Sequence, residues 1–169
     1  MFVLDSHCDT PSQILRFHRD LSVCSTDGHV DFPRLRKGGV DASFFALYVP
    51  PQMDSLQAWD YAREMLEQTR LEVGRHPQIA AMAYSEADAR VNKAKGLLSI
   101  MLGLENGSAI GSDMSRLEWF RARGVRYVTL CHNADNLICD SAAGNGSNNG
   151  LSAFGREVVR KMNSSGMLV

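Results

Sequence analysis

Four side chains in this 169-residue sequence have the types and placement to bind and use a divalent metal: His7, Asp9, Glu105 and His132. His7 and Asp9 follow the short apolar run Val3-Leu4, which is broken at Thr10-Pro11. On a strand, residues two apart face the same side, so the imidazole and the carboxylate would point one way and Cys8 the other. One nitrogen and one oxygen ligand side by side make a half-site for a divalent ion. Glu105 ends a second apolar run, Leu97 to Leu104, and His132 ends a third, Val125 to Cys131. A carboxylate can give one oxygen to each of two ions about 3.5–4 Å apart, a pair that lowers the pKa of a bound water and polarises a carbonyl. A neutral histidine beside that centre, in the place of His132, can donate a hydrogen bond to an oxygen on which charge develops.

Each residue taken alone also has a plainer reading. Asp9 before Thr10-Pro11 fits a turn, Glu105 before Asn106-Gly107 fits a solvent-facing carboxylate, and His132-Asn133 fits a polar strand end. Their shared placement after apolar runs sets them apart. His18, His29 and His76 fall in loop or helix-end contexts and are read as non-ligands. Arg34 to Lys37 reads as a solvated helix end, and Phe44, Phe45, Trp59 and Trp119 read as core.

The elements that must position these residues alternate between strand and helix. Ala42 to Val49 reads as a buried strand stopped by Pro50-Pro51. From Ser55 to about Gly74, Leu56, Trp59, Ala62, Leu66 and Val73 recur at helical spacing, and His76-Pro77 closes that helix. Ser85-Glu86-Ala87-Asp88 has capping-box spacing and opens a shorter helix. A helix from about Asp113 to Arg123 ends at Gly124, the glycine expected at a helix C-terminus. A Gly/Ser/Asn-rich loop from Ser141 to Gly150 leads to Ser152, which caps a helix reaching about Ser165, and Gly166 to Val169 starts a further strand. Such alternation predicts parallel β/α units. The absence of a glycine-rich phosphate loop after the first strand, and polar residues at strand C-terminal ends, favour a barrel over a doubly wound sheet. A whole eight-stranded barrel takes about 250 residues, so four strands and the start of a fifth predict a chain truncated within its barrel.

Composition describes an ordinary globular chain, 44% hydrophobic and 22% charged with a net charge of -1, and shows no bias toward nucleic acid or an anionic membrane surface. Charged residues interrupt every apolar run well before a membrane span. Asp5, His7 and Asp9 occupy the place where a signal peptide would be apolar. Cys8, Cys24, Cys131 and Cys139 show no CxxC spacing and read as free thiols of a reducing cytoplasm.

At this point the residues carry a resemblance. Asp5-Ser6-His7-Cys8-Asp9-Thr10 resembles the opening metal motif of the membrane dipeptidase (renal dipeptidase) family of zinc peptidases. The likeness continues through Asp31-Phe32-Pro33-Arg34-Leu35, Gly38-Gly39-Val40 with Phe44-Phe45, and Leu104-Glu105-Asn106-Gly107. It extends through Gly124-Val125-Arg126-Tyr127-Val128-Thr129-Leu130-Cys131-His132-Asn133 and Gly150-Leu151-Ser152-Ala153-Phe154-Gly155. These blocks keep the order they have in that family. Asn106 departs from the Glu-Gly-Gly often found there.

The resemblance implies a (β/α)8 TIM-barrel metallohydrolase, with residues 1–169 forming the N-terminal half of one catalytic domain that stops at its fifth strand. It implies two zinc ions per complete active site. His7 and Asp9 would bind the first, Glu105 would bridge both, and His132 would contact substrate near the scissile carbonyl. The family's other zinc histidines and its catalytic aspartate would fall beyond Val169, so the second site is incomplete and no catalytic residue is assigned within this chain. The implied function is hydrolysis of dipeptides by metal-activated water in a cytoplasmic homo-oligomer, with no nucleic-acid or membrane partner. A chain ending at Val169 is expected to be inactive or weakly active alone. Two alternatives stay open: another metal-dependent amidohydrolase on the same scaffold, or a non-catalytic half-barrel that assembles with another chain.

Overall fold

Six of the seven residues of strand β2 (Ala42–Tyr48) are buried, the pattern of a strand covered on both faces in a parallel sheet. The structure, a computed structural model, describes residues 1–169. β1 (Leu4–Cys8) pairs with β2 in parallel, Leu4 opposite Ala42, Asp5 opposite Ser43 and Cys8 opposite Phe45. Three steps along β1, from Asp5 to Cys8, therefore match two along β2, from Ser43 to Phe45. Such a bulge breaks strict alternation and re-aims the residues inside it, here Ser6 and His7. The strands form one sheet in the order β1-β2-β4-β3, with β5 pairing with β4. No helix is long and apolar enough to cross a membrane.

The chain divides into two compact units. The first comprises Met1–Ala46 and Glu64–Leu102. In it, α1 (Thr10–Phe17) carries Pro11 in its first turn and ends at His18 in the left-handed conformation. The proline that reads as a break in the sequence is thus a helix start, where its missing N–H costs nothing. β3 (Ala80–Met82) pairs in parallel with the start of β4 (Leu98–Glu105), Ala80 opposite Leu98. This three-residue strand carries no local signal, since alanine has low strand propensity and only the pairing makes it a strand. α4 (Glu86–Ala94) is capped by Ser85, whose Oγ accepts the Asp88 N–H at 3.1 Å. The Asp88 carboxylate accepts the Tyr84 N–H at 2.9 Å.

α2 (Phe32–Lys37) shows how a buried charge is held in this unit. Asp31, fully buried at its N-cap, accepts the Arg34 N–H at 2.8 Å and the Arg34 Nε at 2.6 Å. Burial pushes this carboxyl up, but the Arg34 hydrogen bonds and charge outweigh it and hold the group below the usual carboxylate range. A folded-state value below the ordinary 3.8 means that the stabilisation is present above that pH and is lost as pH falls through the lower folded value. Asp31→Ala should cost about 1–2 kcal/mol at neutral pH, the range of a lost cap. The loss should shrink in strong acid. Urea unfolding at the two pH values checks this, and an equal loss at both would exclude the charge as its source.

The second unit comprises Leu47–Arg63 and Gly103–Val169. It holds the last residues of β4, the 3-10 turn Gly107–Ile110, α5 (Met114–Ala122), β5 (Val125–Thr129) and α6 (Ala153–Ser164). α5 and α6 start where their caps predict, with Asp113 accepting from Ser115 N–H and Ser152 from Gly155 N–H. An isolated parallel bridge joins Tyr127 to Leu168. Phe44 and Phe45 are core, but Trp59 and Trp119 are only half-buried. They meet edge-on at 5.0 Å, each also contacts buried Phe120, and guanidinium groups cover their faces, Arg116 over Trp59 and Arg123 over Trp119. The long helix α3 (Ser55–Arg75) contributes to both units.

Candidate metal centre

β1 ends at Cys8, and Asp9 turns the chain into α1 as its N-cap. The Asp9 side chain accepts none of the helix N–H groups, although N-cap carboxylates ordinarily do so. Its backbone carbonyl instead accepts from Ser12 N–H and Oγ at 3.2 and 2.8 Å. The carboxylate is left to meet His7, whose Nε2 lies 3.2 Å from Asp9 Oδ1. Two ligands on one tetrahedral ion with bonds of about 2.0–2.2 Å stand about 3.3–3.6 Å apart. The observed spacing is close to that edge, and the donor set of one imidazole and one carboxylate suits a borderline divalent ion. Cys8, between them, is buried, its Sγ 2.9 Å from Thr10 Oγ1. Burial pushes its thiol up, against hydrogen bonds from Thr10.

In the second unit, Glu105 ends β4 with its side chain 12% exposed, and His132 Nε2 stands 3.5 Å from Glu105 Oε1. The strand end is pinned by the Glu105 carbonyl, which accepts the Val49 N–H at 3.0 Å. β5 ends at Thr129, two residues before the expected Cys131, so His132 sits on the following loop. That loop is fixed through its backbone: Leu130 O accepts from Gly107 N–H and Asn136 Nδ2, and His132 O accepts from Ser141 Oγ. Tyr48 meets the His132 ring edge-on at 5.1 Å and restricts its orientation. Tyr48 was not among the residues expected to serve the site, and its place at the end of β2 was the available signal.

Asn106 accounts for its departure from the glycine often found after the glutamate. Its φ of 76° lies in the region that glycine favours and that asparagine tolerates best among other residues. Its buried amide also does what glycine cannot. It donates to Val49 O at 2.9 Å and accepts from Ser108 N–H at 3.2 Å and Asn136 Nδ2 at 3.1 Å. The Gly/Ser/Asn-rich loop is likewise ordered by acidic side chains. Asp135 accepts from Ser141 and Asn145 N–H groups, and Asp140 from those of Asn148 and Gly150.

His76, read from sequence as a non-ligand, lies in a second group of ligand-type atoms with Asp20 and Glu72, all within 4.8 Å of one another. Buried Glu72 accepts the Leu21 N–H at 2.7 Å, so this group ties the segment after α1 to the end of α3. All four cysteines are free. Burial first, then the neighbouring Cys131, pushes the Cys139 thiol up to about 12.

Comparison with known proteins supplies the remaining observation. The chain is 30% identical to the uncharacterized dipeptidase C3A11.10c of Schizosaccharomyces pombe, over 99% of this chain and 45% of that protein. It is 36% identical to dipeptidase aclJ of Aspergillus oryzae, over 84% of this chain and 36% of that protein. The chain thus spans less than half the length of these curated relatives. Among solved structures, the dipeptidase AC, a metallopeptidase of family M19, superposes with a TM-score of 0.86 at 25% identity, over 99% of this chain and 55% of that one. A metallopeptidase from Rhodobacter sphaeroides, liganded with a phosphinate mimic of the dipeptide L-Ala-D-Ala, gives 0.87 at 23% identity, over 99% of this chain and 57% of that one, and shows likeness of fold. The parallel β/α architecture therefore matches about half of the dipeptidase fold, in keeping with part of a TIM barrel. The family model for the membrane dipeptidases, peptidase family M19, matches residues 1–169, and the chain belongs to that family.

Proposed function

We propose that this chain supplies the first part of a dinuclear zinc site that hydrolyses dipeptides. In this reading His7, Asp9 and Glu105 would hold the metal, His7 and Asp9 the first ion and Glu105 both, and His132, beside Glu105, would contact the substrate near the scissile carbonyl. The observation that carries it is the 3.2 Å pairing of His7 with Asp9, on a carboxylate that leaves its own helix uncapped. When bound, the ions would polarise the carbonyl and lower the pKa of a water.

The chain's own residues hold and orient. The β1 bulge sets the direction of His7, and the Val49 hydrogen bond fixes the strand end that carries Glu105. Tyr48 and the Glu105 carboxylate orient the His132 imidazole, which can present an N–H to an oxygen gaining charge. Residues outside this chain would complete the second ion's ligands and move the proton. A cytoplasmic location and a homo-oligomeric state belong to the same reading, the first supported by four free thiols.

The test is metal analysis of the full-length protein together with Ala-Ala hydrolysis, before and after chelation and after zinc is restored. Two zinc ions per chain and activity that is lost and regained with them are expected. Activity that survives complete removal of metal would end this reading.

A further inference from the structure

Arg19 is a charged group that the site described so far does not use. Its side chain is 8% exposed, and its Nε and Nη2 are buried without a hydrogen-bond partner. Guanidinium stays protonated in proteins, so it cannot escape burial by losing its charge. A buried, unpaired charge is costly, and the cost is relieved when an anion meets it. Asp9 and Asp27 line the same cavity, yet neither satisfies those two nitrogens.

That cavity, about 380 Å³, is bounded by Arg19, Asp9, Thr10, Gln13, Gly28 and His29 among others, within the size range of small-ligand pockets. The backbone at Gly28 has a φ of 140° and lies close against the guanidinium. A Cβ there would stand 2.2 Å from Arg19 Nη1, so the glycine leaves room for the charge to sit where it does. Gln13 and Thr10 add side chains able to donate to an oxygen ligand. The planar guanidinium fork fits a carboxylate with two parallel hydrogen bonds. Asp9 belongs both to this cavity and to the metal pair, so an anion on Arg19 would lie beside the reacting centre.

We propose that Arg19 forms an anion subsite that receives a carboxylate of the peptide substrate, from an acidic side chain or from the terminus. This rests on the dipeptidase reading, and the experiment separates the two. Glutarate serves as a probe of the subsite alone, by thermal unfolding of the full-length protein and its Arg19→Met and Arg19→Lys variants. Glutarate should raise the unfolding temperature of the wild type, raise that of Arg19→Lys less, and leave Arg19→Met unmoved. Without glutarate, Arg19→Met should unfold no lower than wild type, because it removes an uncompensated charge. In kinetics, Arg19→Met should raise KM at least tenfold with a smaller change in kcat. A rise confined to Ala-Glu and Glu-Ala assigns the subsite to a side chain, and a rise that extends equally to Ala-Ala assigns it to the terminus. Unchanged KM values, or a glutarate effect that is absent from the wild type or survives in Arg19→Met, would overturn the proposal. If the wild type hydrolyses none of the three peptides, the dipeptidase reading fails and the glutarate shift still decides whether the anion subsite exists.

Discussion

Glu105→Gln should reduce dipeptide hydrolysis by on the order of a thousandfold, roughly 4 kcal/mol in the barrier, while leaving the fold intact. Glutamine keeps the shape of the side chain, and the strand end is held by the backbone bond from Val49 N–H to Glu105 O, which the substitution does not touch. What disappears is the negative charge and one of the two equivalent oxygens. If Glu105 bridges two ions as proposed, it would need both, one for each, and a neutral amide is a weak ligand for zinc. The loss should therefore appear in kcat and in metal content together. Hydrolysis rates, metal analysis and thermal unfolding on the same preparation check this. Activity within tenfold of wild type at full metal content would remove Glu105 from the centre.

Gly155→Ala should destabilise the protein by about 3 kcal/mol or more, through overpacking rather than through the helix. Helix propensity alone says the opposite, because alanine in a helix interior is favoured over glycine by about 1 kcal/mol. Gly155 lies in the first turn of α6, and a Cβ there would stand 1.9 Å from Ile138 O and 2.9 Å from Ile138 C. Both are backbone atoms and cannot swing aside. The Ile138 carbonyl accepts the Ser152 N–H at 3.0 Å, and the Asn136 side chain accepts the Ile138 and Cys139 N–H groups at 2.8 and 3.2 Å. Moving the loop would break these bonds, and moving α6 would open the packing of buried Val158 and Met162. Urea unfolding of the variant measures the cost. A midpoint equal to or above that of wild type would mean that the helix accommodates the methyl group and that the close approach is not obligatory.

Much of this protein was legible in the order of its residues. The run Ala42 to Val49 read as a buried strand, and Asp113 and Ser152 announced helix starts that the structure places one residue later. These features depend on neighbours a few residues away, so local periodicity and capping chemistry suffice to read them. The types of the candidate ligands, and their positions after apolar runs, were equally visible. Pro11 was legible but ambiguous, since the residue that breaks a strand also begins a helix, and the chain context alone favoured the break.

Tertiary structure decided the rest. The bulge between Asp5 and Cys8 exists because β1 must match β2, residues nearly forty positions away, and it determines how His7 is aimed. β3 is a strand only because Leu98 to Ile100 offers it an edge. Trp59 and Trp119 have the composition of core residues, but their partners are Phe120 and two guanidinium groups, which leave them half-buried. Arg19 is the clearest case. Nothing in its neighbours along the chain says that it will be buried, because burial is a property of what folds over a side chain. The sequence by itself thus determined the longer strands and helices, the family and the identities of the metal-type ligands, all written in short-range pattern. Which charge is left unpaired in a cavity and which carbonyl crowds Gly155 were decided by contacts between segments apart in the sequence, which short-range pattern does not encode.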